Sequence, residues 1–257
     1  MNHVFRFDDK VNCRLAFAQY VKEYLPEKPT VAHQDEIFED DLSWLHQYVE
    51  VDALAESFAS FYSGGITAFH GCRPVDISSY LSRGIVPATT KQLKAQVRGL
   101  MPDISEDAIE SAFLEESYVN RHASEPDHIY AVLDEDSLPT FGSYLIEGSE
   151  TLQCLKIPGI QAALRQKGIP TIFEFVAPLS SLKPNSLREL IGSVTADFFA
   201  MEWFGAERDS HIGYTVIFQG RISAKSITKH THPEYIRDFR NVGLKYQNRT
   251  LTCEYCA

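Results

Sequence analysis

The residues Phe69-His70-Gly71-Cys72-Arg73 carry the clearest chemical signal in the chain. They close a short β-prone run, Ile66-Thr67-Ala68-Phe69-His70. A glycine at a strand end lets a ligand approach the backbone closely. His70 beside it then presents a ring nitrogen and its neighbouring backbone groups to that ligand. For an isolated His-Gly pair the plain alternative is a histidine satisfied within the fold. Cys72 next to His70 has the residue types of a thiol nucleophile. A nucleophile also needs a base within hydrogen-bond reach and an oxyanion site, and nothing else in the sequence signals either. Cys253-x-x-Cys256 stands near the C-terminus, with His230 and His232 upstream. Cys and His are the ligand types of structural zinc. The His-x-His pair is less usual, however, and there is no second Cys-x-x-Cys. The segment therefore reads as a mobile, reduced tail, and no metal site is assigned. No Gly-rich phosphate loop, GxSxG elbow or HExxH motif is present.

Holding His70 at a strand end requires neighbouring strands and helices, and the apolar spacing marks them. Leu15, Ala16, Ala18, Val21 and Leu25 fit a helix over 13–25. One or two further helices fit residues 35–62, opened by the acidic run 35–41 with Asp40 or Asp41 as cap. Leu42, Leu45, Val49, Leu54, Phe58 and Phe61 form their buried face. Ser63-Gly64-Gly65 breaks this pattern. Val75–Leu81 reads as a helix closed by Gly84, and residues 91–119 as two helices, the second capped at Ser105. His128–Leu133, Thr171–Val176 and Tyr214–Phe218 read as strands, and Leu187–Phe204 as a helix. A helical N-terminal quarter followed by short strands and helices is an α+β arrangement.

With 257 residues, 44% of them hydrophobic, the chain can bury a core without metals or disulfides. Cys13, Cys72, Cys154, Cys253 and Cys256 are odd in number and scattered, as expected of reduced thiols in a cytoplasmic protein. MNHVFRFDDK lacks a signal-peptide pattern. No apolar run approaches the roughly 18 residues that span a bilayer, so no membrane association is expected. The net charge of −11 is uneven: residues 221–257 hold seven Lys/Arg against three acids, a local +4 that leaves −15 for residues 1–220. An acidic body repels nucleic acid, whereas a basic segment on it forms a local phosphate-facing patch or a solvated mixed-charge surface.

Phe69-His70-Gly71-Cys72-Arg73-Pro74, then Ile77, Tyr80-Leu81 and Arg83-Gly84-Ile85-Val86-Pro87, resembles the opening motif of the ADP-ribosyltransferase superfamily. In that motif a strand ending in His-Gly-Thr/Ser precedes a short helix and a Gly-Ile/Leu-x-Pro turn. The resemblance is close over about eighteen residues and loose over 66–230. It implies an α+β fold with a split β-sheet: N-terminal helices over 1–64, a transferase-like core over 65–230 and a basic C-terminal segment over 231–257. It also implies that His70 and Gly71 hold NAD through its ribose and nicotinamide amide. Arg73 is placed for a phosphate or ribose contact, or equally reads as a plain exposed arginine, and Cys72 replaces the usual hydroxyl residue. A family aromatic that stacks on nicotinamide is matched by Tyr130, in His128-Ile129-Tyr130-Ala131, or by Tyr144, in Phe141-Gly142-Ser143-Tyr144. Either is also readable as a core tyrosine.

The family's closing strand carries a Glu that stabilises positive charge developing on the ribose. Gly213-Tyr214-Thr215-Val216-Ile217-Phe218-Gln219-Gly220-Arg221-Ile222 resembles that strand, but Tyr214 or Thr215 stands at the acidic position. Glu147-Gly148-Ser149-Glu150, read as a polar turn at a strand end, offers the substitute, with Glu150 preferred and Glu147 second. The competing reading makes Ser149 a helix cap with Glu150 in the first turn. Glu202 and Glu174 are weaker options, Glu174 facing solvent between Phe173 and Phe175.

The resemblance implies an NAD-dependent ADP-ribosyltransferase, a glycosyltransferase with NAD as substrate. The insertion at 88–127 would shape acceptor recognition, and the basic C-terminal stretch favours RNA or DNA as acceptor. Such a protein would be similar to toxins of antiphage toxin–antitoxin systems and would have an antitoxin partner. The missing closing-strand Glu favours instead a catalytically inactive module that binds ADP-ribose or nucleic acid. An RNA 2′-phosphotransferase would need more cations than Arg73 and Arg83 around its pocket.

Overall fold

β1 (Val4–Phe5) pairs in parallel with the start of β2 (Gly65–Cys72), the strand that carries His70. The computed structural model describes residues 3–7, 43–124, 127–148, 150–205, 214–238, 241 and 243–256. The helix expected over 13–25, Cys13 and the acidic run 35–41 lie outside the described residues. β3 (His128–Val132), β4 (Thr171–Ala177), β5 (Thr215–Gln219) and β6 (Ile227–Thr231) complete a sheet in the order β5-β3-β2-β4-β6. All neighbours in that order run antiparallel. The period-2 pattern sets the faces: Ile129 and Ala131 on β3 and Val216 and Phe218 on β5 point into the main core. β4, an interior strand between β2 and β6, is buried along most of its length. β7 (Tyr235–Arg237) and β8 (Lys245–Gln247) form a separate antiparallel hairpin.

α1 (Val51–Phe61) follows a short 3₁₀ turn at Ser43–Gln47. Leu45, Val49, Leu54 and Phe58 are buried, as the spacing predicts. Phe61 is 45% exposed and stacks on His3 instead. Leu54, Phe58 and Tyr62 share one hydrophobic cluster with Phe5, Ile66, Phe173 and Phe175, so the N-terminal region and the sheet build a common core.

α2 (Ser78–Arg83) ends at Gly84, whose φ of +86° suits only glycine at low cost. α3 (Thr90–Leu100) starts with a capping box between Thr89 and Gln92. α4 (Glu106–Ala112) is capped by the Ser105 side chain, and α5 (Glu116–Ser124) follows, making three helices where two are predicted. The extra break falls at Phe113-Leu114-Glu115. Phe113 turns inward there to stack edge-on against Tyr118.

α6 (Ser137–Phe141), α7 (Tyr144–Glu147), α8 (Glu150–Cys154) and α9 (Ile160–Lys167) then form a run of short helices. Leu93, Val97, Ile109, Leu152, Ile160 and Leu164 join α3, α4, α8 and α9 in a second hydrophobic cluster. α10 (Pro184–Phe204) has Pro at its start and Gly205 in the left-handed region at its end. It packs Leu190, Ile191 and Val194 on the sheet, and Ala196, Phe199 and Ala200 against Trp44 and Leu45.

Residues 251–256, expected to be a mobile tail, turn back onto β6. A Cys253–Cys256 turn places both sulfurs beside His230. Among the described residues no helix is long and apolar enough to cross a membrane.

Candidate functional site

The sheet splits next to His70. β2 and β3 pair only at Phe69↔Val132. Beyond that point β2 continues against β4 as far as Cys72↔Thr171, while β3 continues against β5 as far as His128↔Gln219. The two halves part, and a cleft of about 500 Å³ opens between them, within the range of small-molecule sites. His70, Gly71, Tyr130, Tyr144, Thr151 and Thr215 all line it.

His70 spans the split. Its Nδ1 lies 2.8 Å from the Tyr130 carbonyl oxygen. A carbonyl can only accept, so Nδ1 carries the hydrogen and Nε2 is the acceptor nitrogen of a neutral ring. Burial lowers the His70 pKa, and the bond to Tyr130 offsets this only in part. At neutral pH the side chain is thus an uncharged acceptor whose orientation the opposite strand fixes.

Gly71 lines the cleft and also has a packing reason to be glycine. A Cβ at Gly71 would meet Cε2 of Tyr144 at 2.8 Å, with Leu138 and Leu145 each at 3.3 Å. The close approach is made by the Tyr144 ring, which packs onto the backbone beside His70 and forms one wall of the cleft. Burial pushes the Cys72 thiol up to about 12, so the thiolate needed for nucleophilic attack is scarce at neutral pH.

Arg73 is buried rather than presented to a ligand. Its guanidinium donates to the carbonyls of Leu164, Leu145 and Arg165 and to the Tyr246 hydroxyl. This corrects the expected phosphate or ribose contact. Arg73 lines the cleft from below while its fork of donors ties together α7, α9 and the C-terminal hairpin.

The carboxylates are arranged differently from expectation. Glu147-Gly148-Ser149-Glu150 joins two helices and does not end a strand. Glu147 is buried and receives the Arg165 guanidinium at 3.0 Å, outside the cleft lining. Glu150 begins α8; the next two residues, Thr151 and Leu152, line the cleft. The Glu150 side chain lies outside the described residues. Glu174 is partly buried, accepting from Thr228 and facing Arg6 at 3.5 Å, so it does not simply face solvent. Glu202 is exposed on α10. On the closing strand Thr215 lines the cleft, and the Tyr214 hydroxyl turns away to donate to Asp197. Among the described residues no Asp or Glu lines the cleft.

The turn after α2 and the exit from β5 meet. Ile85 and Ile222 form an antiparallel bridge with N–H···O distances of 3.0 and 2.9 Å. A Cβ on Gly84 would stand 2.0 Å from the Ile222 oxygen, which is why glycine occupies that turn. Beside this bridge lies a second, more polar cleft of about 840 Å³ with Arg83, Arg221 and Lys225 on its walls, together with Asp76. It shares Pro74, Tyr80, Val86, Ala88 and Gln96 with the first cleft, so an aromatic hollow runs on into a cationic one. A separate apolar hollow between Leu100, Met101, Ile104 and Ile157 shares no residue with either.

His128 is a cleft residue that the motif reading overlooks. It lines the cleft two positions before Tyr130, on the same face of β3, and its Nδ1 is buried without a hydrogen-bond partner among the described residues. The His-x-Tyr alternation within a predicted strand was the available signal.

No family model matches this sequence, and no curated protein or solved structure matches it either.

Proposed function

We propose that this chain is an NAD-dependent ADP-ribosyltransferase that transfers ADP-ribose to a macromolecular acceptor, nucleic acid in preference to protein. The observation that carries the reading is the His70–Tyr130 bridge across the split in the sheet. It joins the two strands whose motifs the transferase superfamily uses, at the mouth of a cleft lined by two tyrosines. In this reading His70 Nε2 accepts from a hydroxyl of the nicotinamide ribose, and Gly71 offers its backbone to the amide. Tyr130 and Tyr144 flank the pyridinium ring, which favours aromatic faces. Breakage of the ribose–nicotinamide bond leaves the electron pair on nicotinamide, and the acceptor nucleophile then bonds to the ribose carbon. Glu150, at the start of α8, is the carboxylate assigned to the positive charge on the ribose. Arg83, Arg221 and Lys225 in the adjoining cleft supply phosphate-binding charge, for the pyrophosphate or a nucleic-acid backbone. A toxin of an antiphage system, acting in the cytoplasm and held by an antitoxin, is the setting this reading implies.

The test is nicotinamide release from NAD with and without RNA, 2′-phosphorylated RNA, DNA and cell lysate. The RNA bearing a 2′-phosphate is included because the three cations of the second cleft also suit phosphotransfer. Release that needs an acceptor and disappears in His70→Ala and Glu150→Gln supports the transferase. Release that survives Glu150→Gln moves the carboxylate role elsewhere.

A second reading has its own support. Thr215 stands where the closing-strand carboxylate belongs, and the described cleft lining holds no acid. A binding module for ADP-ribose or nucleic acid accounts for that lining without chemistry. ADP-ribose binding by calorimetry, with no nicotinamide released under any condition, would replace the transferase with this module.

A further inference from the structure

The C-terminal turn brings four metal-ligand side chains together from two distant stretches of chain. Each of His230, His232, Cys253 and Cys256 offers one ligand atom, and those atoms lie within 4.8 Å of one another. His230 Nε2 is 3.3 Å from Cys253 Sγ and 3.4 Å from Cys256 Sγ, and the two sulfurs are 3.6 Å apart. Zinc bound tetrahedrally by sulfur at about 2.3 Å and nitrogen at about 2.0 Å sets its ligand atoms roughly 3.3–3.8 Å apart. Three of the edges already match. We propose that His230, His232, Cys253 and Cys256 form a structural zinc site.

The second, independent observation is His232. Its ring is buried, and Nδ1 lies 3.0 Å from the Pro170 carbonyl and 3.3 Å from the Thr171 hydroxyl. Nδ1 therefore carries the hydrogen and Nε2 the lone pair, yet Nε2 is buried with no hydrogen-bond partner among the described residues. An orphaned acceptor of this kind costs about 1–3 kcal/mol unless something fills it. A ring whose far nitrogen donates to a backbone carbonyl while the near one waits for an electron-pair acceptor has the outer-shell arrangement of zinc-bound histidines.

Strand geometry explains the His-x-His spacing. Residues two apart in extended chain project to one side, so His230 in β6 and His232, one residue beyond its end, turn their rings toward the same point. The Cys253–Cys256 turn supplies the facing pair, and Cys253 N–H points at Cys256 Sγ at 3.3 Å, a contact that favours thiolate. Four protein ligands close the coordination sphere, which marks a structural role. Two thiolates balance the charge of one divalent ion, and two neutral imidazoles add none. Soft sulfur with imidazole in tetrahedral array selects zinc over the hard cations.

The site closes a loop that contains the β7–β8 hairpin. Tyr246 of that hairpin accepts from Arg73, which also donates to the carbonyls of Leu145 and of the cleft residue Leu164. The metal thus anchors the far end of the brace beneath the candidate site, whatever reaction that site performs.

The test is metal analysis of the full chain purified under reducing conditions. About one zinc per chain is expected, released by a thiol-specific mercurial. Zinc should be lost in Cys253→Ser/Cys256→Ser and kept in Cys154→Ser. Cobalt titration of the reduced, metal-free wild type should give sulfur-to-cobalt charge-transfer absorption, a readout that does not depend on any variant folding. His232→Ala should weaken that band. Metal-free wild-type protein without the cobalt band would overturn the proposal, as would zinc that persists in the double cysteine variant.

Discussion

The Tyr144 ring fills the place where a side chain on Gly71 would begin, its Cε2 2.8 Å from an ideal Cβ. The glycine of the His-Gly pair is thus tied first to an aromatic wall of the cleft. Gly71→Ala should force Tyr144, or Leu138 and Leu145 behind it, to move. Overpacking of this kind destabilises by about 1–3 kcal/mol. Urea unfolding of Gly71→Ala, Tyr144→Ala and the double variant measures the coupling. The double variant should be less destabilised than the sum of the singles; additive losses would mean that the ring does not meet the new methyl.

The His70–Tyr130 bond predicts a pH signature. Burial lowers the folded-state pKa of His70 below the ordinary imidazole value of about 6.5. As the pH drops below about 6.5, the unfolded chain takes up a proton that the folded chain refuses, so stability falls with falling pH and the effect ends below the folded pKa. Well above pH 6.5 neither state is protonated there and His70 adds no slope. His70→Gln keeps a donor for the Tyr130 carbonyl without a titrating group, and its stability should fall less between pH 6.5 and 5. Parallel stability curves for the two proteins would refute this account.

Arg73 and Arg83 sit in one sequence motif but have opposite environments. Arg73 is buried under four hydrogen bonds, whereas Arg83 is exposed at the rim of the second cleft. Arg73→Lys keeps the charge but cannot reproduce the fork, and each buried carbonyl left without a donor costs about 1–3 kcal/mol. A loss of at least about 2 kcal/mol is expected on that basis. Arg83→Ala should stay within about 0.5 kcal/mol of wild type and instead weaken binding of NAD or nucleic acid. Equal stability of the two variants in thermal melts would contradict this division of roles.

Much of the local structure was legible. Apolar alternation located β3, β4 and β5, helical spacing located α10, and Ser105 and Gly84 ended or opened helices where their side chains or backbone freedom allow it. The α+β class followed from the order of those elements. The Glu147–Glu150 segment left two readings open, because a Gly-Ser pair suits a hairpin turn and a helix junction equally well; Glu150 opens α8, as the helix-cap reading has it. Only the packing of Leu145 and Leu152 into different clusters chose the junction.

Sequence alone determined which residue types are present: a His-Gly pair, two candidate tyrosines, a Tyr214–Phe218 strand without an acid, and a late Cys-x-x-Cys. Tertiary structure decided which of them meet. That β2 and β3 pair at one residue and then separate is a matter of register between strands about sixty residues apart. The burial of Arg73 depends on carbonyls more than seventy residues away. The four-ligand cluster depends on a tail that folds back more than twenty residues onto β6. Periodicity and capping act through neighbours three or four residues apart, so they write themselves into the sequence. These long contacts depend on how several elements pack at once, and no single segment carries them.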